Sequence, residues 1–315
     1  MVQGKSTRQA ELTIDPRQAE VWPALPQAEW SDACATLQLW MQIVGKIRLA
    51  LVPAINHCWN VTLYPTILGF TTLPMAHGSR MLQIDFDFVH HELLAETSEG
   101  ARRFIALRAM TVAEFYKELM AALDALGTPV HIWTMPVEVA QPIRFESDVL
   151  HGAYNPEYAR RFWRVALQST RVFTVFRSRF KGKVSPIHLF WGALDLACTR
   201  FSGRKAPEHP SMAGLPDRVT RDAYSHEVSS CGFWPGAPGM DACFYSYSYP
   251  EPKGYAEQSI SPSQASYNSQ LGEFVLPYEK MRQLPDPDAA LLQFLQSTYE
   301  AAANCAQWDR NGLEG

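Results

Sequence analysis

The segment AYSHEVSSCGFWPG, residues 223–236, gathers His226, Glu227, Cys231 and three serines within seven positions. Imidazole beside carboxylate suits proton transfer, and a thiol suits nucleophilic attack once a base or cation makes it a thiolate. As a strand, the segment sends Glu227, Ser229 and Cys231 one way and His226, Val228 and Ser230 the other. As a helix, it sets His226 and Cys231 about 140° apart. Neither geometry lets His226 activate Cys231, so any base for the thiol comes from elsewhere in the fold.

A second set lies in HLFWGALDLACTRFSGRKAPEHP, residues 188–210. An unbroken strand would place His188 and Asp195 on opposite faces, while a bulge at Gly192 or a helix would align them. Asp195 sits between Leu194 and Leu196 and needs a partner if buried, Arg200 or a histidine. The reading that follows is a small-molecule enzyme. His188 and His226 carry protons, Glu227 or Asp195 orients them, and Cys231 is the nucleophile. A metal version takes His188, His226 and Glu227, with His209, as ligands suited to zinc or ferrous iron. It ranks lower because no short spacing supports it. Plain structural roles stand beside each: a core histidine, an ion-paired aspartate, a thiol packed under Phe233 and Trp234.

The competing class is a non-catalytic binder of an aromatic or apolar ligand. Tyr245, Tyr247 and Tyr249 alternate with serines and share one strand face, with Trp191 and Trp234 as further rings. Arg177 or Arg200 would anchor an acid group, although the basic run FRSRFKGK, residues 176–183, is also explained by the dipole of the helix it ends. Several standard chemistries lack their motifs. There is no phosphate-binding G-x-x-x-x-G-K-[ST], no G-x-G-x-x-G and no G-x-S-x-G. H-E-x-x-H fails because Ala95 follows His91-Glu92, and Ser230 follows His226-Glu227, where histidine is required. The deaminase P-C-x-x-C is absent. No cofactor is named by any motif.

The 315 residues are 47% apolar and only 19% charged, with nine Trp, twelve Tyr and sixteen Phe. That aromatic bulk predicts a thick core or a ring-lined pocket. A net charge of −4 argues against a general nucleic-acid partner. The polar N-terminus lacks a signal-peptide core, and no run suits a membrane span. Six scattered cysteines without C-x-x-C read as reduced thiols, hence a cytoplasmic protein. The expected partner is a small molecule, not nucleic acid or membrane.

The elements that must position these residues follow from periodicity and caps. Leu37, Trp40, Met41, Val44, Ile47 and Leu51 recur at helical spacing from Ser31 onward. Strands follow from Trp59 to Leu107, with Leu82, Ile84, Phe86 and Phe88 alternating against Gln83, Asp85 and Asp87. Thr111 and Glu114 form a capping box for a helix ended by Gly127. VHIWTMPVEV, residues 130–139, reads as a strand. Asn155 and Pro156 open a long helix to about Phe180, and Asp286 and Pro287 open a closing one. IHLFWGALDLACTRF and CFYSYSYPEP read as strands.

Both halves thus run helix, antiparallel strands, helix. At an offset of 131, Lys46 meets Arg177, His57 meets His188, Trp59 meets Phe190 and Phe70 meets Phe201, a weak sign of duplication. The expected organisation is a flexible arm over 1–20, a first half over 21–148, and a second over 149–315 carrying an inserted loop, 204–239. LWMQIVGKIRLAL, the 188–210 and 223–236 segments, and FLQSTYEAAANCAQWDR together resemble a bacterial family known only as a domain of unknown function. The resemblance runs from about Trp22 to Trp308; it implies that both halves form one unit and brings no activity with it. The expected fold is α+β: two similar halves, each an antiparallel sheet with long helices packed on one face. A ligand site is expected in the cleft between the halves or beneath the 204–239 loop.

Overall fold

The computed structural model describes residues 20–211 and 216–315; the expected arm, residues 1–20, lies outside them except for Glu20. The first half opens with α1 (Ser31–Leu51), whose Leu37, Trp40, Met41, Val44 and Ile47 are all buried. Six short strands follow: β1 (Tyr64–Pro65), β2 (Gly69–Thr71), β3 (Met75–His77), β4 (Arg80–Asp87), β5 (Glu92–Thr97) and β6 (Arg102–Ala106). They form an antiparallel sheet in the order β1-β2-β4-β5-β6, with β3 also paired to β4. Then comes α2 (Val112–Ala125), which starts at the Thr111–Glu114 capping box with both reciprocal bonds made.

The second half begins with α3 (Pro156–Ser178), capped by the Asn155 side chain. Its strands are β7 (His188–Phe190), β8 (Asp195–Lys205), β9 (His226–Trp234), β10 (Cys243–Tyr249), β11 (Ser266–Asn268) and β12 (Glu273–Pro277), with α4 (Asp217–Ala223) between β8 and β9. The sheet order is β11-β12-β10-β9-β8-β7, again antiparallel. Helices α5 (Tyr278–Arg282), α6 (Pro287–Cys305) and α7 (Arg310–Leu313) finish the chain. Among the described residues this is an α+β fold of seven α-helices and two six-stranded sheets.

The two sheets meet edge to edge. Leu63, just before β1, exchanges backbone hydrogen bonds of 3.0 and 2.7 Å with Leu189 of β7. One apolar core runs through both halves, from Trp22 to Trp308, and α3 packs against β1, β2 and β8, bridging the join. The 131-residue register does not match these places, since His57 lies on a short 3-10 turn and His188 on a strand. A shift of 126, which carries Leu63 to Leu189, instead lays α1 within the span of α3.

Three expectations change. IHLFWGALDLACTRF is a hairpin turning over Trp191–Leu194, with Phe190 opposite Asp195 and His188 opposite Ala197. The turn puts His188 and Asp195 on one face without bulge or helix. Residues 130–139 form no strand, because α1 side chains supply the polar partners a neighbouring strand would. Gln42 bonds both the N–H and the C=O of Val137, at 2.9 and 2.8 Å, and Lys46 donates to the Met135 carbonyl at 2.7 Å. Finally, the stretch 204–239 is not a loop added on a finished sheet, since it supplies β9, the strand between β8 and β10.

Trp191 locks the join. Its indole lies on Gly45 of α1, where any Cβ would overlap the ring, and its Nε1 donates to the Val61 carbonyl at 2.6 Å. Gly45→Ala gains about 1 kcal/mol of helix propensity, yet it must displace a buried indole, at or beyond the upper end of the about 1–3 kcal/mol that overpacking costs. We expect a net loss of about 2 kcal/mol or more, read as a lower urea midpoint at unchanged slope; a midpoint at or above the parent's would contradict this seat.

Candidate functional site

Opposite residues in an antiparallel pair share a face, so the register defines two surfaces of the second sheet. One carries Leu196, Cys198 and Arg200, Cys231 and Phe233, and Phe244 and Leu276, and packs on the helices. The other carries Asp195 and Thr199 from β8, Ser230 and Gly232 from β9, and Tyr245, Tyr247 and Tyr249 from β10. Val275 opposes Tyr245, so Glu273, two residues away, also points to this side.

This second surface holds a connected polar set. Tyr245 donates its hydroxyl to Asp195 Oδ2 at 2.6 Å. The hydroxyls of Tyr224 and Tyr247 lie 3.1 Å apart, and those of Thr199 and Ser230 2.8 Å. The rings of Tyr245 and Tyr247 are nearly parallel, with centroids 6.3 Å apart. The first half adds Glu138, held beside the β7–β8 turn because Gln42 fixes Val137 and also donates to the Gly192 carbonyl at 3.2 Å. Glu138 adopts φ +54, unusual for a residue with a Cβ, and its carboxylate occupies the space a Cβ on Gly192 would fill.

Burial raises the Asp195 carboxyl to about 6, although the Tyr245 bond opposes this. Loss of hydration, then the charge of Asp195, lifts Glu138 and Glu273 to about 7 each. Glu138 is solvent-exposed, whereas Asp195 and Glu273 are half-buried, so water screens its charge most and its rise is the smallest effect of the three. Among the described residues, no Lys or Arg forms an ion pair with any of them. Asp195, whose charge acts on both Glu138 and Glu273, sits with them on a tyrosine-walled face that can accept a cation or exchange protons near neutral pH.

The expected residues are distributed otherwise. His188 is fully buried with neither ring nitrogen hydrogen-bonded. Burial and the nearby Arg48 depress it to about 3, so the imidazole is neutral at pH 7. Cys231 lies on the helix-facing side, its thiol directed at the Cys198 carbonyl and pushed well up by burial, away from both histidines. Glu227 pairs with Arg204, which also binds carbonyls at the end of α6, so it ties strand to helix. His226 is half-buried, 5.9 Å from the ring of His57 and remote from Cys231's face. His209 stacks on Tyr224 at 4.3 Å. The metal version fails, as among the described residues no three His, Cys, Asp or Glu side chains converge as ligands.

The basic anchors also change place. Arg200 is buried among Phe176, Phe180 and Tyr299 and donates to the Phe176 carbonyl. Arg177 donates to the Ser185 carbonyl at 2.8 Å. Neither reaches the tyrosine face, and Trp191 is taken up by the join. Asp195 and Tyr247 remain, with Trp234 half-buried at the far end of β9. Glu138, Glu273 and Tyr224 were missed; only Glu273 left a trace, in the alternation of EFVLP. A cleft of about 790 Å³ lies elsewhere, between α2 and residues 129–149. Its lining includes Glu114, Lys117, Asp124, His131 and Glu146.

A family model matches residues 22–315, almost all of the chain. The chain belongs to DUF5996, a family of unknown function. No curated protein and no solved structure matches. No described helix is long and apolar enough to cross a membrane. For this DUF5996 member the functional argument therefore rests on the site itself.

The raised carboxyls make stability depend on pH with a defined sign. Between the ordinary carboxylate range and about 7, the folded chain holds protons at Asp195, Glu138 and Glu273 that the unfolded chain has lost. Their contribution to stability is therefore full at low pH and falls as pH rises through that window. Asp195→Asn removes one such group and the charge that lifts the other two. The variant should lose less stability than the parent between about pH 5 and about pH 8 in urea unfolding; an equal or steeper loss would contradict the coupling.

Proposed function

We propose that this chain binds a small organic cation, an amine carrying an apolar or aromatic body, on the tyrosine face where the two halves meet. One observation carries the reading: Asp195, Glu138 and Glu273 interact across a face walled by Tyr224, Tyr245 and Tyr247 and lack a basic partner among the described residues. An ammonium group would relieve their mutual repulsion, and tyrosine rings attract cations through their negative faces. The reading reverses the charge of the ligand expected from the sequence, because the arginines offered as acid anchors lie in other surroundings. Cation binding lowers the carboxyl pKa values, so affinity should rise with pH as the site ionises.

Acid–base catalysis is the second reading, favoured by one feature. A carboxyl near pKa 6, held by the Tyr245 hydroxyl, can both give and take a proton at neutral pH. Thermal-shift measurements with size-matched amine, neutral and acid forms of small aromatic compounds test the binding claim. The amines should raise Tm and the acids should not, and Asp195→Asn should weaken the best amine by about tenfold, roughly 1.4 kcal/mol. Stabilisation by acids over amines, or equal amine binding by the variant, would overturn it. Recovery of the amine unchanged after long incubation separates binding from turnover.

A further inference from the structure

A second group of reactive side chains lies where α4 meets the 3-10 turn Asn56–Cys58. Nζ of Lys183 stands 2.6 Å from Nε2 of His57. On its other side, His57 Nδ1 faces the carbonyls of Asp222 and Ala223 at 3.1 and 3.3 Å. Carbonyls only accept, so Nδ1 carries the proton and Nε2 offers its lone pair to the lysine. The backbone holds this imidazole in an uncommon way: His57 and Cys58 both adopt φ +58, two consecutive left-handed residues with a Cβ. Such strain persists only where surrounding contacts enforce it, and it recurs at functional sites.

The lysine is reachable and only partly solvated. The residue is exposed, while Nζ lies over the rings of Phe201 and Trp59 at 4.9 and 5.4 Å. Asp222, the nearby carboxylate, receives the Cys58 N–H at 3.0 Å and faces its thiol, and it forms no ion pair with Lys183 among the described residues. The other titratable groups around the dyad are His226, 5.9 Å from His57, and Arg218, whose charge acts on Cys58. Desolvation lowers the Lys183 pKa, with Asp222 opposing. Desolvation, then the charge of Lys183, lowers that of His57.

We propose that Lys183 is a nucleophilic amine, with His57 as its proton acceptor, that condenses with a small aldehyde or ketone. The Lys183 ammonium gives one proton to His57 Nε2, and the freed lone pair forms a bond to the carbonyl carbon as the carbonyl π pair moves to oxygen. That oxygen takes the proton from His57. A second Nζ proton, passed the same way, lets it leave as water. The product is a protonated imine with one hydrogen left on nitrogen, and no oxidant or reductant is required. The half-buried ring of Trp59 beside Nζ favours an aromatic carbonyl compound.

The test treats the full-length protein with benzaldehyde and cyanoborohydride at about pH 7 and reads benzylation of each lysine by peptide mass spectrometry. Lys183 should be labelled at least about tenfold faster than its exposed neighbour Lys181, as expected of general-base assistance. In a His57→Gln variant shown to be folded by circular dichroism, that advantage should disappear. Equal labelling of Lys183 and Lys181 in the parent would overturn the proposal, leaving the dyad as a pin for α4. So would an advantage that survives in folded His57→Gln. If the variant does not fold, the ratio in the parent protein decides.

Discussion

An indole resting on a glycine holds this molecule together. Trp191 at the tip of the β7–β8 turn can approach α1 only because position 45 lacks a side chain. Once it does, Leu63 and Leu189 pair, and the polar row Gln38, Gln42 and Lys46, spaced one helical turn apart, faces the turn and residues 135–138. Glu138 is thereby delivered beside Asp195, a residue of the other half. Neither half contains this carboxyl pair by itself, so the docking of the halves and the assembly of the site are one event.

The charges follow a pattern that the aromatic composition makes possible. Several cations are taken inside and sheltered by rings in place of carboxylates. Arg200 lies 3.5 Å from the ring centroid of Phe176 and 4.2 Å from that of Tyr299, Arg48 lies over Tyr64, and Lys46 over Phe145. A desolvated cation–π contact is worth about 2 kcal/mol, which offsets part of the cost of burial. Among the described residues none of these three cations forms an ion pair, and the carboxylate that acts on Arg200, Glu314, is held by Arg310 and Tyr299. On the tyrosine face the imbalance is reversed, with three carboxyls and no described basic partner.

Local rules are well recorded in the residues. The Thr111–Glu114 box, the Asn155-Pro156 and Asp286-Pro287 starts, and the alternation from Leu82 to Phe88 each depend on neighbours in sequence, and each forms as expected. Failures arise where a distant partner decides. Residues 130–139 have a strand's composition, but Gln42, nearly a hundred positions earlier, satisfies their backbone. The β7–β8 turn contains Leu194 at φ +61, a conformation that its residue type does not announce. Of the site, Asp195 and Tyr247 were visible because buried carboxylates and strand-faced tyrosines are unusual in themselves. Glu138 was not, since nothing near it in sequence tells of Gly192. The His188–Cys231 reading failed because residue type suggests reactivity, whereas burial and face decide it.

The central claim is that Asp195, Glu138 and Glu273 form one interacting, uncompensated set. Carbon-13 NMR titration of the side-chain carboxyls tests it most directly. The account predicts signals that titrate near 6 and near 7, well above the ordinary carboxylate range, with the two higher transitions moving down when Asp195 is replaced by asparagine. If all three carboxyls titrate at ordinary values, or the glutamates ignore the loss of Asp195, the three do not share a site and the account is wrong.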